Sequence, residues 1–135
     1  MTVLIFANGE MIDVEWTRPF LSRSSLMIAA DGGTRHLFRL GVPPDMVIGD
    51  MDSLTEEISS WLVESGVDMI RYDPVKDETD LELALLYAQQ LDDEILLFGA
   101  LGGRLDHMLA NILLLAHPKL ADCSITLIEQ YERAW

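Results

Sequence analysis

Aspartates and glycines gather in four short blocks of this 135-residue chain: Asp31-Gly32-Gly33, Gly49-Asp50-Met51-Asp52-Ser53, Lys76-Asp77-Glu78-Thr79-Asp80, and the stretch from Gly99 through Gly102, Gly103, Arg104 and Asp106 to His107. Hard carboxylate oxygens suit Mg²⁺, which takes a few carboxylates and fills its octahedron with water and phosphate oxygens. Asp50 and Asp52 are two apart, so in an extended stretch they share a face and can reach one ion. From Asp45 to Asp80 there are 11 acidic and 2 basic residues, a self-repelling run that asks for a cation or solvent to neutralise it. Taken alone, any one of these aspartates reads first as a helix cap or a solvated loop residue. Capping uses one per helix, however, and does not account for the set.

Between Gly99 and Arg104 a strand-like run passes into a helical one. That places glycine N–H groups and a helix N-terminus where an anion can dock, with Arg104 as counter-charge. No Gly-Lys-Ser/Thr follows, so this is not a P-loop, nor is it the dinucleotide fingerprint, and glycine-rich turns are often only tight turns. Arg104, His107 and Asn111 fall at i, i+3 and i+7, one polar stripe on an otherwise apolar helix. For His107 and Asn111, ligand contact and a buried hydrogen-bonded pair are equally good readings. Metal carboxylates facing an anion site point to transfer chemistry on a Mg-bound nucleotide phosphate, where catalysis is positioning and charge neutralisation. Ser53 has no neighbouring histidine base and sits at a cap, which leaves a serine-hydrolase reading without support.

Positioning these blocks falls to alternating elements. Apolar or β-branched runs at Val3–Ala7, Leu26–Ala30, Met46–Ile48, Met69–Tyr72, Ile95–Phe98 and Ser124–Ile128 read as strands covered on both faces. Helical composition occupies Thr55–Ser65 and Thr79–Leu91, with capping-box spacing at Ser53-x-x-Glu56 and Thr79-x-x-Glu82. A third helix, Arg104–Ala116, is stopped by Pro118. The fold class expected is α/β: an open, mostly parallel Rossmann-like sheet with helices on both faces. In such sheets ligands bind at the carboxyl ends of the strands, where each acidic or glycine-rich block lies.

Length and composition bound the partners. One domain is expected from 135 residues, half of them apolar. The net charge of −14 argues against nucleic acid or an anionic membrane and for a cation. Cys123 is the single cysteine, so no internal disulfide or Cys-based zinc site forms, and a reduced compartment is the natural reading. Val3–Ala7 is short and has no basic residue ahead of it, unlike a secretory signal. Met108–Ala116 is the longest apolar stretch, well under the ~20 residues of a membrane span. A soluble, cytoplasmic protein is expected.

The four blocks, in this order and spacing, resemble thiamine pyrophosphokinase, the family that moves a diphosphate from ATP to thiamine, and the resemblance covers almost the whole chain. It implies that Asp50, Asp52 and Asp80 hold Mg²⁺ and that Asp31 and Asp106 complete the acidic catalytic site. It gives the nucleotide phosphates to Gly99, Gly102, Gly103, Thr79 and Arg104. The rest of the blocks, Gly32, Gly33, Ser53, Lys76 and Asp77, together with His107 and Asn111, are expected around the bound ATP. The resemblance also implies a homodimer, with thiamine bound where domains of two subunits meet, and a smaller all-β domain after the α/β one. Residues 1–128 are then the ATP- and Mg-binding catalytic domain. Residues 129–135 are the start of a linker or of a truncated C-terminal β domain, the remainder of which is missing. Three other readings compete: a diphosphokinase for another hydroxymethyl heterocycle such as a pterin, a nucleotide-sugar glycosyltransferase using Asp50-x-Asp52, and a non-catalytic Mg-nucleotide-binding module. The glycosyltransferase reading leaves Asp77, Asp80 and the glycine loop unexplained.

Overall fold

Uninterrupted apolar runs form strands here because both faces of the sheet are covered. The computed structural model describes residues 2–9, 11, 13–22, 26–49, 54–71, 80–90, 94–99, 124–128 and 133–134. Its strands are β1 (Thr2–Phe6), β2 (Leu26–Ala30), β3 (Met46–Gly49), β4 (Asp68–Arg71), β5 (Glu94–Phe98), β6 (Ser124–Ile128) and β7 (Arg133–Ala134). They form one sheet in the order β4-β3-β2-β1-β5-β6-β7. The first six are parallel, and β7, which the sequence did not signal, pairs antiparallel to β6.

The helices are α1 (Arg18–Leu21), α2 (Thr34–Leu40), α3 (Glu56–Glu64) and α4 (Asp80–Gln89). Alternate residues of each strand serve opposite faces. Val3, Ile5 and Ala7 of the first strand and its extension pack with Leu81, Ala84, Leu85 and Ala88 of α4. That i, i+3, i+4, i+7 stripe is the apolar face a covering helix needs. Leu4 and Phe6 pack with Leu37 and Leu40 of α2 and Ile58 and Leu62 of α3. Two cores therefore lie on either side of one sheet, as the sequence implied.

The change of face has a topological cause. From β1 to β4 the chain steps one way across the sheet, with α1, α2 and α3 on one side. It then returns past β1 to reach β5. Parallel crossovers keep one hand, so the returning connection must carry its helix on the other face, where α4 lies. The reversal makes the carboxyl ends of β1 and β5 the point where the strand order changes direction, the position at which open α/β sheets bind ligands.

Local signals fix the helix ends. Thr55 caps α3: its Oγ1 accepts from the Ile58 N–H at 3.2 Å. The expected cap, Ser53, lies two residues too early, because the donor reached is that of Ile58 and the helix begins at Glu56. Helix α2 closes on Gly41 at φ +73, with the Val42 N–H reaching the Leu37 carbonyl, a Schellman ending. The expected cap Thr79 and the helix Arg104–Ala116 lie outside the described residues.

Candidate functional site

The point of reversal is built from close backbone crossings that leave no room for side chains. The Ala7 N–H donates to the Phe98 carbonyl at 2.8 Å and the Gly9 N–H to the Gly99 carbonyl at 2.6 Å, so the chain after β1 and the chain after β5 stay zipped beyond the strands. Gly99 turns away at φ +74, and a Cβ there would sit 2.7 Å from the Ala7 carbonyl oxygen. Only glycine meets both conditions.

Beside it, β2 ends in a 3₁₀ turn, Asp31–Gly33, that leads into α2. Asp31 is 8% exposed and takes φ +41, the one positive φ outside glycine among the described residues. A left-handed aspartate costs about 1–2 kcal/mol and marks a position held by its surroundings. The Thr34 hydroxyl donates to the Asp31 carbonyl at 2.7 Å. A Cβ on Gly33 would lie 1.9 Å from the Phe6 carbonyl oxygen, and one on Gly32 would meet the Asn8 carboxamide. These two glycines let α2 start against the end of β1.

Helix α2 in turn braces the segment that follows β1. Arg35 donates to Asn8 Oδ1 at 2.7 Å and to the Asn8 carbonyl at 3.3 Å. His36 Nε2–H donates to the Gly9 carbonyl at 2.7 Å, and Arg39 donates to the Met11 carbonyl at 2.6 Å. His36 is 3% exposed. Burial pushes its pKa below the usual histidine value, with the Gly9 bond opposing and the Arg35 and Arg39 charges reinforcing that shift. It is therefore a neutral imidazole carrying its proton on Nε2.

Of the residues expected at the site, the structure brings together Asp31, Gly32, Gly33 and Gly99. Asp80 is the first residue of α4, so the chain enters that helix at the same carboxyl edge. Asp50, Asp52, Ser53, Lys76, Asp77, Thr79, Gly102, Gly103, Arg104, Asp106, His107 and Asn111 lie outside the described residues. Among the described residues no group of three His, Cys, Asp or Glu side chains could hold a metal ion, and no helix is long and apolar enough to cross a membrane.

The acidic run from Asp45 to Asp80 is not one cluster. Asp45 precedes β3 and its Oδ2 accepts from the Met27 N–H at 2.7 Å. Asp68 opens β4 and Glu64 ends α3, so all three lie toward the amino ends of the strands. Glu56 and Glu57 occupy the first turn of α3, where the helix dipole favours them. The repulsion inferred from the raw count is thus divided between two ends of the sheet. Asn8, Arg35 and His36 were not anticipated. The position of Asn8 directly after the first strand-like run was the available signal.

The family described as "Thiamin pyrophosphokinase, catalytic domain" matches residues 17–127. The thiamine pyrophosphokinase of Bacillus subtilis is 34% identical over 130 residues, covering 96% of this chain and 61% of that protein. A crystal structure of thiamine pyrophosphokinase from the same organism superposes with a TM-score of 0.80 at 34% identity, over 95% of this chain and 60% of the other. A thiamin pyrophosphokinase family protein from Enterococcus faecalis gives 0.76 at 30% identity, covering 96% and 62%. The chain spans about three fifths of the length of these relatives.

Proposed function

This chain belongs to the thiamin pyrophosphokinase catalytic-domain family, and we propose from that premise that it carries the ATP and metal groups for transfer of a diphosphate from ATP to thiamine. The hydroxyl oxygen of thiamine attacks the β-phosphorus, the bridge between the α- and β-phosphates breaks, and AMP leaves with the bridging oxygen. The hydroxyl proton passes to solvent or to a carboxylate. The observation that carries the reading is the meeting of Asp31-Gly32-Gly33, Asn8-Gly9 and Gly99 at the carboxyl edge where the strand order reverses.

A magnesium ion fits the residues at this edge. Asp31 is a buried carboxylate at the end of β2, Gly49 ends β3 immediately before Asp50 in the chain, and Asp80 begins α4. Asp50, Asp52 and Asp80 would hold it, an all-oxygen set of the kind Mg²⁺ prefers. When bound, the ion neutralises charge on the polyphosphate. Lys76, Thr79, Gly102, Gly103, Arg104, His107 and Asn111 would surround the phosphates and the acceptor, and Asp106 would complete the acidic wall. The reading extends to a cytoplasmic enzyme working as a homodimer, in keeping with the lone Cys123 and the family.

Supplying Mg·ATP and thiamine to the chain and resolving products by chromatography tests the proposal. Equal amounts of AMP and thiamine diphosphate are expected. Product from a pterin alcohol and none from thiamine would favour the other diphosphokinase, and ATP binding without AMP release would favour the non-catalytic module.

A further inference from the structure

Asn8 is exposed, yet its carboxamide is fixed. It lies across the bare face of Gly32: from the place where a Cβ would stand, Oδ1 is 2.1 Å away, Cγ 2.5 Å and Nδ2 3.0 Å. On one side it is pinned by Arg35, whose guanidinium reaches Oδ1 at 2.7 Å. A guanidinium only donates, so the oxygen is the atom that faces it, and the amide nitrogen faces the other way with both of its N–H groups. Among the described residues Asn8 is bonded only through its carbonyl and Oδ1. The backbone beneath is held too, by the Gly9 N–H on Gly99 and by His36 on the Gly9 carbonyl.

A donor aimed and held at the end of the first strand, beside the point where the strand order reverses, is matched to an acceptor oxygen. In doubly wound folds the turn after the first strand is where phosphates lie. We propose that Asn8 contacts the nucleotide directly, its Nδ2 donating to a phosphate oxygen, with Arg35 as the positioning residue that sets the orientation of the amide. The inference rests on the nucleotide reading above and adds to it a neutral donor that supplies no charge. It also explains Gly32, whose missing side chain makes room for the carboxamide.

The test is calorimetric titration of ATP with Mg²⁺, and separately of adenosine, into the chain and its Asn8→Asp and Asn8→Ala variants. Asn8→Asp keeps an acceptor for Arg35 and removes the donor. ATP binding is expected to weaken about tenfold or more in both variants, the loss of a hydrogen bond to a charged group, while adenosine binding stays as in the parent. An unchanged affinity of Asn8→Asp for ATP would overturn the contact and leave Asn8 as a brace for Arg35. Equal weakening toward ATP and adenosine would overturn the assignment to phosphate. If the parent chain itself binds no ATP, the nucleotide reading fails, a result distinct from either of these.

Discussion

Replacing Gly33 with alanine isolates the packing that builds the site. Gly33 has φ −60 and ψ −19, a conformation any residue adopts, so the whole effect is steric. The new Cβ would stand 1.9 Å from the Phe6 carbonyl oxygen, 2.5 Å from its carbon and 3.1 Å from the Ala7 carbonyl carbon, all backbone. Ordinary contact requires the start of α2 to retreat from β1 by about 1.5 Å. A retreat of that size stretches the 2.7 Å bonds from His36 to Gly9 and from Arg35 to Asn8 beyond useful length. Overpacking costs about 1–3 kcal/mol and each lost bond about 1 kcal/mol, for a total of about 3–5 kcal/mol. Gly41→Ala is the control: φ is +73 but nothing lies within 4 Å, so about 1–2 kcal/mol is expected. Equilibrium urea unfolding, followed by the fluorescence of Trp16, Trp61 and Trp135, measures both. Equal destabilisation by the two substitutions would refute the close approach of α2 to β1.

Thr55→Ala removes the Oγ1 acceptor that caps α3 and is expected to destabilise by about 1 kcal/mol in the same unfolding assay. His36 titrates with a clear sign. Its folded pKa lies below the unfolded value of about 6.5, so its contribution is complete above that value and is lost as pH falls from there toward the folded pKa, where the unfolded chain binds the proton first. Comparing the parent with His36→Asn between pH 7.5 and pH 5.5 should show a shallower loss of stability in the variant. Arg104→Ala is expected to weaken ATP more than AMP, as a contact to the outer phosphates requires; titration of both nucleotides checks it.

The strands were legible because parallel strands covered on both faces are continuous apolar runs, and six of the seven strands among the described residues were readable within a residue or two. Helices α3 and α4 were legible from their length and composition, while the cap of α3 is Thr55 and not the expected Ser53. Helix α2 has seven residues, too few for its 3.6-residue period to stand out. Strand β7 is two residues long and carries no pattern of its own. At the site, Asp31, Gly32, Gly33 and Gly99 announced themselves by type and by following strands. What the sequence does not display is the reason for those glycines, since Gly33 meets Phe6 and Gly99 meets Ala7 only after the sheet has formed. The brace of Arg35 and His36 on Asn8 and Gly9 spans 27 residues, a distance at which local spacing is silent.

The metal-dependent nucleotide site proposed for the carboxyl edge of the sheet is tested most directly by calorimetric titration of ATP with and without Mg²⁺. Binding that requires Mg²⁺ and is lost in Asp50→Asn, with the unfolding transition of that variant preserved, is the result expected. Binding indifferent to Mg²⁺, or retained in full by Asp50→Asn, would rule out that site.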